Sequence, residues 1–121
     1  MQLQDEIYSL FSLPKPKSVK PNSCVYVIHC KHTKHSYVGS ALLDDKGNCP
    51  RLTGYHKSRL SKGSHPSKLM QAEFNHYPDS FTFVIVETCK TSEARAREQA
   101  VMTRIEMKGY KLFNVNRAYK Y

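Results

Sequence analysis

The residue with the clearest chemical implication is a glutamate set among apolar neighbours. Residues 92–107 have the pattern of a long helix, with Ser92 placed to cap its start and Gly109 just past its end. Ala94, Val101 and Ile105 mark one apolar stripe, and Glu98 falls on that stripe at the same three- and four-residue spacing. A carboxylate is costly to bury by itself, so Glu98 has to be paired, protonated or bound to a cation. That leaves a salt bridge to a nearby arginine, or a metal ligand in a cleft between this helix and a hairpin earlier in the chain.

The hairpin is read from Cys24-Val-Tyr-Val-Ile-His-Cys30 and Ser36-Tyr-Val-Gly-Ser40, two stretches that alternate like strands and are joined by Lys31 to Lys34. Tyr26 and Tyr37 stand 11 residues apart, so the hairpin brings both phenols to one surface. Gly39 lets a backbone or a phosphate come close where a Cβ would block it.

Between these features the chain reads as follows. Asp44 to Pro50 is a turn-rich loop whose paired aspartates suit a solvated turn better than a metal. Arg51 to Leu60 is a helix weakened by Gly54, Ser61 to Ser64 breaks it, and Pro66 opens a second helix to about His76. On that second helix Leu69, Met70, Phe74 and Tyr77 recur as core packing. Phe81 to Val86 is largely apolar and reads as a central strand buried on both faces. Asn114, between Phe113 and Val115, has the setting of an amide that bonds local backbone.

Composition narrows the partners. The 121 residues suffice for one domain with a single modest core, and 19 Lys and Arg against 10 Asp and Glu give a formal charge of +9. Such a surplus draws polyanions, of which nucleic acid is the commonest. Residues 51–72 hold no acid but carry Arg51, Lys57, Arg59, Lys62 and Lys68, a segment suited to tracking phosphates. No apolar run reaches membrane-spanning length, and the first residues do not read as an export signal, so a cytoplasmic protein with reduced cysteines at 24, 30, 49 and 89 is expected. Cys30, His32 and His35 are zinc-ligating types, but their spacing makes no closed four-ligand set. Residues 1–22 read as an arm, a short helix over 2–13 followed by a connector of prolines and lysines, ahead of one domain over 23–121.

In Cys24-Val25-Tyr26 and Tyr37-Val38-Gly39 the chain resembles the GIY-YIG nuclease family. The family's later polar residues have counterparts in order: Arg51, His56, Glu98 in Arg97-Glu98-Gln99, and Asn114 in Phe113-Asn114-Val115. His65 follows Lys62-Gly63 as in some phage-intron homing nucleases of that family. The match runs from about Cys24 to Asn116. Three departures stand against it: Cys24 replaces the first glycine, the loop between Gly39 and Arg51 is longer, and Arg51 and His56 lie five apart, one more than in those relatives.

The resemblance implies an α+β domain, a three-stranded mainly antiparallel sheet flanked by helices, acting as a DNA endonuclease. Glu98 would hold one divalent cation, Mg²⁺ or Mn²⁺ in its place, and share the developing charge with Arg51. A tyrosine is a poor base at its free pKa of about 10. Tyr26 could serve if a cationic field lowered that value, passing its proton to His56 or to bulk water. Tyr37 would orient the water or the phosphate, Asn114 would fix the loop beside Glu98, and Lys57, Arg59, Lys62, His65 and Lys68 would contact the nucleic acid. One such site cuts one strand, so duplex cleavage needs a homodimer, successive nicks or a targeting partner. The alternative is a nucleic-acid-binding module of the same fold without cleavage.

Overall fold

Ser23–Cys30 forms β1, a strand with every residue buried, and the rest of the molecule is built around it. The computed structural model describes residues 22–114, so the expected N-terminal helix and connector, and the basic tail with Arg117 and Lys120, lie outside the described residues. The tight turn at Lys31 to Lys34 leads into β2, His35–Leu42, antiparallel to β1 with Tyr26 opposite Gly39. Lys34, in the turn, is the one described non-glycine residue at positive φ (63°), so Cys24 keeps a negative φ that any side chain tolerates.

β3, Phe81–Cys89, lies antiparallel on the other side of β1, and the two-residue β4, Lys111–Leu112, runs parallel to β2. The order is therefore β3-β1-β2-β4, an α+β fold with four strands rather than three. The expectation of a central, doubly buried Phe81–Val86 is corrected. Among the described residues β3 pairs only with β1, and its burial alternates between Thr82, Val84 and Val86 on one face and the half-covered Phe81, Phe83 and Ile85 on the other. β1 takes the central place because both of its faces are covered.

On one face lie Val25, Val27, Val38, Val84 and Val86, packed against Val101, Met102 and Ile105 of α3, Thr91–Met107. (Two shorter helices, α1 at Ser58–Lys62 and α2 at Lys68–His76, precede it in the chain.) Fully burying Val101 and Ile105 contributes about 1.5–3 kcal/mol each. The start of α3 is met not by Ser92 but by Asn22, just before β1, whose Oδ1 accepts the Thr91 N–H at 2.9 Å, by Ser23 Oγ, 2.8 Å from Thr91 Oγ1, and by Glu93 Oε1, which accepts the Lys90 N–H at 3.4 Å. Its end is closed by Gly109 at φ 84°, with the Tyr110 N–H reaching back to the Ile105 carbonyl at 3.3 Å.

The other face carries Cys24, Tyr26, Ile28 and Cys30 against Leu52, Leu60, Met70 and Phe113. A π-helix, Arg51–Lys57, runs straight into α1, Ser58–Lys62, which stops at Gly63 in the left-handed region. α2, Lys68–His76, begins at Ser67, whose hydroxyl accepts the Met70 N–H, so Pro66 precedes the cap rather than opening the helix. Met70 is buried as expected, but Leu69 is 45% exposed. Among the described residues no helix is long and apolar enough to cross a membrane.

Candidate active site

Tyr26 and Tyr37 do reach one surface, with ring centroids 6.4 Å apart and planes within 25°. Gly39 acts on this pair directly. A Cβ there would stand 2.5 Å from both Cζ and Oη of Tyr26, so the absent side chain makes room for the phenol, rather than for the phosphate anticipated from sequence. Burial pushes both phenols up in pKa; Tyr37 adds to the rise at Tyr26, Glu98 adds to it at Tyr37, and Arg51 draws both back.

The π-helix explains how Arg51 and His56 serve one site in spite of their spacing. In an α-helix, residues five apart have turned past one another; the wider π turn hydrogen-bonds i to i+5 and sets them one above the other. The additional residue is thus absorbed as a single wide turn, and both side chains border the same cavity. The Arg51 guanidinium carbon lies 3.9 Å from the centroid of the Tyr55 ring, and that of Arg59 lies 4.9 Å from the same ring.

His56 is buried and bonds on both sides. Its Nε2 meets Tyr26 Oη at 2.7 Å and its Nδ1 meets His65 Nε2 at 2.8 Å. His65 Nδ1 in turn accepts the Ser67 N–H at 3.0 Å. Both imidazoles are held low in pKa by burial first, His56 to about 4 with His65 and Arg51 adding to the shift, and His65 with Arg59 and Arg51 adding to it. Gln71 braces this arrangement: Oε1 accepts the His65 N–H at 2.9 Å while Nε2 donates to the Leu60 carbonyl at 2.9 Å.

Glu98 projects from α3 toward β2, where Ser40 Oγ donates to Oε1 at 2.8 Å. Among the described residues no lysine or arginine pairs with it. The neighbouring Arg97 instead lies 3.7 Å from Glu87, a buried acid on β3. Asn114 does not bond local backbone. It spans 76 positions to take the Val38 N–H at 2.9 Å and donate to the Val38 carbonyl at 2.8 Å, prolonging β4 as a side-chain rung and fixing the backbone between Tyr37 and Gly39 rather than a loop beside Glu98.

Tyr26, Tyr37, Arg51, His56, Glu98 and Asn114 all line one cavity of about 640 Å³, with His65 and Lys68 at its edge. Lys57 does not join them. Its ammonium lies 5.6 Å from the Phe83 ring, on the β3 side. Lys62 is exposed in the last turn of α1. Asp44 closes a turn by accepting the Lys46 and Asn48 N–H groups. The zinc-type residues go separate ways: Cys30 is in the core, His32 stacks on Tyr77 and His35 faces Glu73. Sequence reasoning missed Ser40, Tyr55, Ser67 and Gln71. Only Tyr55 carried a signal, four residues after Arg51 on the same helix.

No family model and no curated protein matches the chain in sequence. Among solved structures it is similar to the catalytic domain of the intron endonuclease I-TevI in mutant form, with 25% identity and a TM-score of 0.57, covering 74% of this chain and 89% of that one. The fold is that of a GIY-YIG catalytic domain. The extra short strand β4 is a minor difference from the three-stranded expectation.

Proposed function

We propose that the chain is a metal-dependent endonuclease that hydrolyses DNA phosphodiester bonds. The observation that supports it most is Glu98: a carboxylate on the inward side of α3, without a cationic partner among the described residues, bordering the cavity that also holds two phenols and a guanidinium. The likeness to an endonuclease catalytic domain points the same way.

The donor set suits a hard divalent ion. A carboxylate offers about four lone-pair sites and the Ser40 hydroxyl occupies one, while Mg²⁺ takes few protein oxygens and keeps several waters. Glu98 would hold this ion, and when bound it would neutralise charge on the scissile phosphate. Arg51, held against the Tyr55 ring, presents its fork to the non-bridging oxygens as negative charge develops. Tyr26 first loses its own hydroxyl proton to solvent and, as the phenolate, takes the proton of the attacking water; Tyr37 orients that water, and Asn114 keeps both rings in place by fixing Val38. Lys68 and Arg59 hold the flanking phosphates.

Nicking of supercoiled plasmid tests this. Glu98→Gln is expected to lower Mg²⁺-dependent nicking by ~10²–10³-fold, the scale at which a transition-state charge partner acts. Full activity in that variant eliminates the metal role. A protein that shifts DNA in EDTA yet gives no product at any Mg²⁺ concentration is the binding module instead.

A further inference from the structure

We infer that His65 is a positioning residue: with the backbone amide of Ser67 it dictates which nitrogen of His56 carries the proton, so that His56 donates to Tyr26 and cannot receive the Tyr26 proton. The consequence for rate rests on the endonuclease reading; the proton assignment does not.

The argument starts at Ser67. A backbone N–H can only donate, so His65 Nδ1, 3.0 Å away, must present a lone pair. A neutral His65 then carries its proton on Nε2, which lies 2.8 Å from His56 Nδ1 and donates to it. His56 Nδ1 is therefore the acceptor, its proton is on Nε2, and Nε2–H donates across 2.7 Å to Tyr26 Oη. The opposite polarity would place a proton on His65 Nδ1 facing the Ser67 N–H, two donors head to head. A second proton on either ring meets the same obstruction. The groups facing His56 are Tyr26 from β1, Tyr37 from β2, His65 from the segment before α2, and Arg51 and Tyr55 from its own helix. None is an acid that would favour an imidazolium.

Two results follow for the chemistry. The hydroxyl proton of Tyr26 points away from His56, and among the described residues no side chain is placed to accept it, so it leaves to solvent and transfer to His56 drops out. A phenolate at Tyr26 would accept the His56 N–H and be favoured by it, against the burial that raises the phenol's pKa. His65 has both ring nitrogens engaged by the protein, so it acts through His56 rather than by contacting phosphate.

The test is a ¹⁵N correlation spectrum of the histidine rings in the full chain near neutral pH. His56 and His65 are expected as Nε2–H forms; a wild-type His56 protonated on Nδ1 overturns the inference. His65→Glu offers only an acceptor to His56 Nδ1 and is expected to move the His56 proton there, whereas His65→Gln can donate and keeps it on Nε2. A His56 that stays Nε2-protonated in His65→Glu overturns the inference too. If His65→Glu does not fold, Ser67→Pro removes the amide proton at a φ of −78° that proline accepts, and His56 should then populate both forms. In the plasmid assay His65→Glu should lower kcat by ~10–100-fold with little change in KM and move the rising limb of the pH–rate profile upward, and His65→Gln should recover most of the loss. A proton shift without a rate change overturns the catalytic part. A wild-type protein that never nicks sinks the endonuclease reading, with the spectrum still deciding the proton assignment.

Discussion

Tyr26 is held by what its neighbours lack as much as by what they offer. Gly39 gives up a side chain so that the ring can lie across it, and His56 fixes the hydroxyl from the far side. Gly39→Ala is therefore expected to cost about 1–3 kcal/mol of stability, as overpacking does, and to depress nicking further than stability alone explains. Urea titration beside the plasmid assay separates the two effects. Tyr26→Phe should abolish nicking and leave the His56 N–H without an acceptor, a penalty of about 1–3 kcal/mol readable in the same titration. A tyrosine pair at strand spacing, and a charge on an apolar stripe, are patterns within a single element, which is why Tyr26, Tyr37 and Glu98 could be read from the sequence. Ser40, Ser67 and Gln71 could not. Ser40 matters through a bond to Glu98, 58 positions away, and Ser67 and Gln71 through bonds to His65 set by the loop geometry ahead of α2, which no periodic pattern announces.

Among the elements, the π-helix carries the main lesson. Five-residue spacing looked like a defect in the Arg51–His56 relation, and it is resolved by changing the helix rather than moving the residues. Deleting Gly54, which no neighbouring side chain contacts closely, should convert the wide turn to an ordinary α turn and keep Arg51 and His56 on the same cavity. Nicking is expected to survive the deletion, with circular dichroism still showing a folded chain; its loss would mean that the wide turn itself is needed. The long helix and the hairpin were legible because their periodicity is local. Strand order was not: an apolar stretch such as Phe81–Val86 looks the same whether it lies at an edge or in the middle, and only the packing on each face decides.

Across the whole molecule, three histidines are folded in neutral form. Burial lowers His29 and His56 to about 4 from an ordinary 6.5, and His65 shifts the same way. In each case the unfolded chain binds the proton first, so their contribution to stability is complete above about pH 6.5 and is lost as pH falls toward about 4. Urea midpoints should decline across that window; a flat profile would mean that these rings are not held neutral. The formal charge of +9 predicts DNA affinity that falls steeply with salt, and Lys68→Ala should reduce the log–log slope by about 1. The clamp from Asn114 onto Val38 also has a meaning in time. Both phenols, the guanidinium and the acid precede Asn114 in the chain, so the backbone at Val38 is fixed by a residue translated later than any of those four.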